Sequence, residues 1–225
     1  MEPIIDSNLE ILYEDDECIA VNKSGNCPVH EGGLYYNNTL TMILEKKYGF
    51  RLYPVYRLDR ETSGIVVFAK KRENVKDVKI ENKEYMAVVE GVINNALIIA
   101  EKIGEVRGEY VKWKMAVLTE GKSAETQIEP VRAMKNATII KIFPKTGRQH
   151  QIRVHLQYIK HPVIGDKLYG ESDKVFKDYL EGKDVDLPIK RQALHLYKIR
   201  LNNKDLTAPV PEDINELAAE LSKII

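Results

Sequence analysis

Residues 57–64, Arg-Leu-Asp-Arg-Glu-Thr-Ser-Gly, set a carboxylate between two guanidinium groups directly ahead of the apolar run "IVVFA" at 65–69. An acid beside an arginine has its pKa lowered and stays ionised at neutral pH. A permanently ionised carboxylate is suited to nucleophilic attack or to charge stabilisation, and poorly suited to donating a proton. Asp59 is therefore the candidate catalytic group. In extended chain, Arg57, Asp59 and Glu61 would project to one side and Leu58 to the other. Two blander or different readings stay open. Asp59 could sit in an ordinary turn paired with Arg57 or Arg60, or could form a carboxylate pair with Glu61 for glycoside hydrolysis. The pair reading needs one acid kept protonated, which the neighbouring arginines oppose.

Other chemistries lack their residues. "EGKS" at 120–123 imitates the end of a phosphate-binding loop, but Ala116 stands where that loop needs glycine, so a β-turn is expected. His150 and His155 are separated by roughly 140° around a helix and cannot share a metal, and His30, His161 and His195 add no ligand spacing. There is no Gly-x-Ser-x-Gly elbow and no Gly-x-Gly-x-x-Gly turn, which leaves serine nucleophiles and dinucleotide cofactors unsupported. No metal and no cofactor are expected.

The elements that must position Asp59 follow from periodicity. "ILYEDDECIAVNK" reads as two short strands around an acidic turn, and "VNKSGNCPVH" as the loop that leaves them. "NNTLTMILEKKYGF" carries Leu40, Ile43 and Leu44 at helical spacing behind a polar cap, with Gly49 as its stop. The Asn37-Asn38-Thr39 stretch is thus expected to lead into a helix cap. "IVVFA" is a buried strand, and residues 83–93 alternate as a second. "SAETQIEPVRAM" and "NATIIKIF" form a strand pair joined through Met134 to Asn136. Residues 148–160 are predicted as a helix, with Ile152, Leu156 and Ile159 facing a core. Arg153 lies about 100° from that stripe, where it can reach along the core edge. Strands and helices joined by hairpins more than by regular crossovers indicate an α+β fold.

With 225 residues and 44% hydrophobic content, the chain can bury one substantial core, and no repeat or linker divides it, so a single domain over 1–225 is expected. Cys18 and Cys27 suit a reducing cytosol more than a disulfide framework. No leader and no long apolar run opens the chain, so a cytoplasmic protein away from membranes is expected. The charges balance at 34 basic and 34 acidic, yet residues 1–50 are net −6, 51–200 net +9 and the last 25 net −3. Lys141, Lys145, Arg148, Arg153 and Lys160 fall in a stretch with no acid. Such a stretch is a solvated face or a contact for a polyanion.

Taken in order, "VNKSG" (21–25), "RLDRETSGIVVFAK" (57–70), "KEYMAVVEG" (83–91), "TGRQHQIRVHL" (146–156), "HPVIGDKLYG" (161–170) and "QALHLYKIRL" (192–201) resemble the RluA-type family of RNA pseudouridine synthases, over about residues 10–210. The resemblance implies isomerisation of uridine in ribosomal or transfer RNA without metal or cofactor. It implies that Asp59 is the catalytic aspartate, that Tyr85 lies against the target base and that Arg153 pairs with the aspartate. It implies that Arg57 helps displace the nucleotide from its stack, at a cost of a few kcal/mol that protein contacts must offset. Tyr56, Arg148, His150 and Leu194 join Arg57 as candidates for substrate binding. The fold implied is a pseudouridine synthase domain, a long mixed and mostly antiparallel sheet split by an RNA-binding cleft.

Two departures stand out. Tyr56 precedes Arg57 where histidine is more usual, and can still stack on a nucleotide. "KSG" replaces the more familiar "KPxG", which loosens the loop after Lys23. Fewer than about ten residues precede the first strand signal, so a separate N-terminal RNA-binding domain is not expected. A monomer with no obligate protein partner is the expectation. A binding module of the same fold, holding RNA without turnover, is the alternative from another class.

Overall fold

The computed structural model describes residues 2–5, 9–107, 114–170 and 173–223. The elements are β1 (Glu10–Glu14), β2 (Cys18–Lys23), α1 (Leu40–Tyr48), β3 (Tyr53–Tyr56), β4 (Ser63–Ala69), β5 (Ile80–Glu90), β6 (Leu97–Ile99), β7 (Ile103–Val106), β8 (Lys114–Val117), β9 (Thr126–Ala133), β10 (Ala137–Pro144), α2 (Gln151–Tyr158), α3 (Asp173–Leu180), β11 (Leu194–Leu201), β12 (Lys204–Thr207) and α4 (Glu212–Lys223). They gather into two compact units, one of residues 1–84 and 195–211, the other of 85–194 and 212–225.

In the first unit the strand order is β1-β2-β4-β11, with β3 also on β4 and β12 on β11. The acidic turn between β1 and β2 forms because Asp15 Oδ1 accepts the backbone N–H groups of Glu17 and Cys18, each at 2.8 Å, an Asx-type closure. β4 is buried at all seven positions, as its unbroken apolar run requires. Its pairing with β11 is parallel, His195 opposite Ser63 and Leu196 opposite Gly64. Gly64 is obligatory there: it takes φ +114°, and a Cβ would lie 2.3 Å from the Leu196 carbonyl oxygen. The expected α1 is present, and its cap is the one the sequence indicates. Thr39 accepts from the Met42 N–H, and Gly49, left-handed at φ 76°, donates its N–H to Glu45.

In the second unit the order is β5-β10-β9-β6, beside a separate β7-β8 hairpin. β9 and β10 meet through 134–136 as expected, closed by the Met134 N–H on the Ala137 carbonyl at 2.8 Å. Ile128, Ile140 and Ile142 are fully buried between neighbours of this sheet. The turn expected at 120–123 lies at 118–121, with the Gly121 N–H on Leu118 O at 3.0 Å, and Lys122 then exchanges backbone hydrogen bonds with Ile103.

The helix predicted at 148–160 is shorter, Gln151–Tyr158. His150 adopts φ 54°, and the Gln151 side chain accepts the Arg148 N–H at 3.0 Å, so the backbone before Gln151 is held in a loop. Nor is α2 amphipathic in the expected sense, since every residue from Gln151 to Leu156 is buried. The stretch 141–160 is therefore not one solvated basic face: Arg153 is buried, whereas Lys145, Arg148 and Lys160 are exposed. Apart from β4 with β11, each pairing described within the units is antiparallel. The short strands β6, β7, β8 and β12 were not anticipated from periodicity, because three or four residues carry too little pattern to register; the helices α3 and α4 were not anticipated either.

Candidate active site

Asp59 lies in the connection between β3 and β4, in the first unit. The connection is a turn and not the extended chain expected, since the Thr62 N–H closes on the Asp59 carbonyl at 3.1 Å. The side-to-side alternation expected for residues 57–61 consequently breaks at Arg60. Arg57, Arg60 and Glu61 each take a partner. Arg60 pairs with Glu61 at 2.8 Å, so Glu61 serves as the counter-ion to Arg60. Arg57 is exposed and donates to His30 Nε2 at 3.2 Å. Burial, followed by the Arg57 cation, holds the His30 pKa below its ordinary value.

The loop is fastened from beneath by a residue that sequence reading passed over. Lys23, at the end of β2, is 0% exposed, and its ammonium donates at 2.9 Å to the carbonyls of Ser24, Cys27 and Arg60. An ammonium has three donors, and all three are used. Charge-assisted bonds of this kind outweigh neutral ones, so the backbone next to Asp59 is tied to the β2 exit. "VNKSG" was the signal, though its spacing alone does not reveal where the lysine points. Below the loop, Ser63 Oγ meets His195 Nδ1 at 3.0 Å, and His195 Nε2 donates to the Ala208 carbonyl at 3.2 Å. His195 is fully buried; with Nε2 carrying the proton, Nδ1 accepts from Ser63.

Tyr56 ends β3, half-buried, with the Lys83 ammonium 4.4 Å from its ring centre. Such a contact joins a cation to an aromatic face. Burial lowers the Lys83 pKa.

Arg153 and its surroundings belong to the second unit. Its Nε and Nη2 donate to the two carboxylate oxygens of Asp166 at 2.6 and 2.9 Å, a bidentate pair that fixes the guanidinium plane. Asp166 Oδ1 also accepts the N–H groups of Leu168 and Tyr169, both at 3.0 Å. Burial opposes ionisation of Asp166, but Arg153 and these N–H groups outweigh it and hold its carboxyl below the usual range. The Tyr169 ring, 0% exposed, lies 4.8 Å from the Arg153 guanidinium carbon and 5.4 Å from the Lys114 ammonium. Its hydroxyl accepts the Met115 N–H at 3.1 Å and bonds His150 Nδ1 at 2.9 Å. That last contact holds His150 in its left-handed backbone, a conformation carrying strain for any residue but glycine. Asp166 and Tyr169 were both missed as site residues.

The remaining candidates are placed as follows. Tyr85 is 3% exposed on β5, opposite Ile142 of β10. Leu194, 3% exposed, starts β11. Arg148 is exposed, its Nε donating to the Ser123 carbonyl at 2.9 Å. The His155 ring nitrogens meet Thr126 Oγ1 and the Glu101 carbonyl at 2.9 and 3.0 Å. Asp59, Arg57 and Tyr56 thus lie in the first unit, and Tyr85, Arg148, His150, Arg153 and Leu194 in the second.

A family model described as RNA pseudouridylate synthase matches residues 17–158. The chain belongs to the RNA pseudouridylate synthase family. As a member it is a pseudouridine synthase, an isomerase, and the stretch matched spans Asp59, Tyr85 and Arg153. The chain is 34% identical over 247 residues to the ribosomal large subunit pseudouridine synthase D of Blochmanniella floridana, covering 99% of this chain and 76% of that one. It is likewise 34% identical to the mitochondrial tRNA pseudouridine(32) synthase of Saccharomyces cerevisiae, covering 83% of this chain but only 42% of the yeast protein. Among solved structures, human RNA pseudouridylate synthase domain containing 1 superposes with a TM-score of 0.70 at 24% identity, over 94% of this chain and 86% of the human one. The α+β pseudouridine synthase fold is thereby the fold of this chain. Among the described residues, no helix is long and apolar enough to cross a membrane.

Proposed function

We propose that this pseudouridine synthase isomerises specific uridines in ribosomal or transfer RNA, with Asp59 as the catalytic carboxylate, Tyr85 against the target base and Arg153 as the charge partner of the reaction. The observation that carries the reading is the anchored turn of Asp59. Its carbonyl is closed by Thr62, and the adjoining Arg60 carbonyl is held by the buried Lys23, so the carboxylate projects from backbone that has little freedom left to lose on binding. The substrate class follows the relatives, which act on ribosomal or transfer RNA by name.

The net reaction breaks the C1′–N1 bond and forms C1′–C5, while C5 loses a proton and N1 gains one. No electrons change hands and no atoms enter or leave, so the balance requires no redox cofactor. Arg57 displaces the nucleotide from its stack, Tyr56 and Arg148 contact RNA beside it, and His150 and Leu194 complete its surroundings. Both units serve as one catalytic domain over 1–225, acting as a monomer. The enzyme acts in a reducing cytoplasm, which suits the buried thiols of Cys18 and Cys27; burial, with the Asp15 carboxylate, pushes the Cys18 thiol up to about 12.

The test is tritium release from uridine labelled at C5, in cellular RNA lacking this enzyme's modification. Release by the wild type and none by Asp59→Ala, with RNA still bound, is the expected result. Equal release by both proteins would remove Asp59 from the chemistry. Binding without release by either would replace the isomerase with a binding module.

A further inference from the structure

The turn at residues 30–36 holds two large apolar side chains in water on a backbone pinned from several sides. Gly32 and Tyr35 exchange backbone hydrogen bonds at 2.9 and 3.1 Å, and Gly33 between them takes φ +58°, closing a tight reversal. Tyr35 turns inward, 8% exposed. The Glu2 carboxylate accepts the backbone N–H groups of Tyr36 and Asn38, and the Asn38 side chain donates to the Pro3 carbonyl at 2.8 Å. Left outside are Leu34, 77% exposed, and Tyr36, 70% exposed. Apolar groups presented on ordered backbone mark a contact surface more than a packing defect.

The same turn touches the Asp59 loop at both of its arginines. Arg57 donates to His30, and Arg60 donates to the Tyr35 hydroxyl at 3.4 Å with its guanidinium carbon 5.8 Å from that ring. The exposed Leu34 and Tyr36 therefore stand on the same turn whose His30 and Tyr35 contact the two arginines flanking the candidate carboxylate. That combination suits a polyanion with flat, apolar faces. Arg60 already has Glu61 as its counter-ion, so the charge offered to such a polyanion is that of the exposed Arg57.

We propose that the turn at residues 30–36 is a nucleotide-stacking element: Tyr36 and Leu34 pack against unpaired bases flanking the target uridine that Arg57 displaces. The proposal rests on the pseudouridine synthase reading and deepens it, because it sets the class of RNA accepted. Bases within an A-form helix are already stacked and offer no face, so the element selects loops or bulges with splayed bases over continuous duplex.

The test compares affinities for two oligonucleotides in an Asp59→Ala background, a stem-loop with unpaired uridines and a fully paired duplex of equal length. Stacking of one base on one ring is a large part of single-strand affinity, so Tyr36→Ala weakens stem-loop binding about tenfold or more. Tyr36→Phe retains the affinity, Leu34→Ala shows a smaller loss, and duplex binding and the unfolding temperature do not change. Wild-type affinity in both alanine variants, or equal losses on stem-loop and duplex, would overturn the proposal. Tritium release by otherwise wild-type enzyme from cellular RNA separates the two levels. Its absence sinks the functional reading and this one together, whereas normal release with unaltered Tyr36→Ala binding removes the stacking element alone.

Discussion

Two buried charged residues decide how firmly the site is held. Asp166 compensates a guanidinium that is 8% exposed at Arg153. Removing one partner of such a pair leaves an uncompensated charge, so Asp166→Asn is expected to cost about 3–5 kcal/mol in urea unfolding. Lys23→Met leaves the Ser24, Cys27 and Arg60 carbonyls without their common donor. An unmet buried acceptor costs about 1–3 kcal/mol. The expected outcome is a comparable loss of stability together with slower tritium release, because the freed Arg60 carbonyl adjoins the proposed catalytic residue. A variant that lost stability and kept the wild-type turnover rate at a temperature where it is folded would show that the tether does not serve the loop.

At the scale of elements, the parallel contact between β4 and β11 is the least tolerant join in the first unit. Gly64→Ala forces a methyl group to within 2.3 Å of the Leu196 carbonyl and keeps a left-sided φ of +114°. The strands must separate, at about 3 kcal/mol or more, and thermal unfolding reads the loss. By contrast, Thr39→Ala removes one side-chain cap from α1, for which about 1 kcal/mol is expected. The difference follows from backbone meeting backbone in one case and the loss of a single side-chain hydrogen bond in the other. β4 was legible because seven buried positions in a row leave a continuous apolar signature. The early end of α2 was not, because His150 is turned out of the helix by the hydroxyl of Tyr169, nineteen residues along the chain.

For the whole molecule, the titrating groups predict an acid limb of stability. Burial depresses the His155 pKa, against partial opposition from the Glu101 carbonyl, and burial with the Arg57 cation depresses that of His30. Both are neutral when folded and take up a proton more readily when unfolded. Their contribution is complete above the unfolded value of about 6.5 and is lost as pH falls through that value towards the lower folded ones. Unfolding followed from pH 8 to 5 should show this fall, and His155→Gln should flatten part of it. The sequence by itself determined what is local: the Thr39 cap and Gly49 stop, the β9–β10 pair, the buried run of β4, and the ordered motifs that carry the family. Those features depend on neighbours within a few residues, where spacing is geometry. Only the tertiary structure decided that Lys23 holds Arg60, that Asp166 and Tyr169 hold Arg153, and that Leu34 and Tyr36 stand in water beside Arg57. Each of these joins residues from separate stretches of chain, and a side chain's partner there is chosen by burial and by the need to satisfy every buried charge.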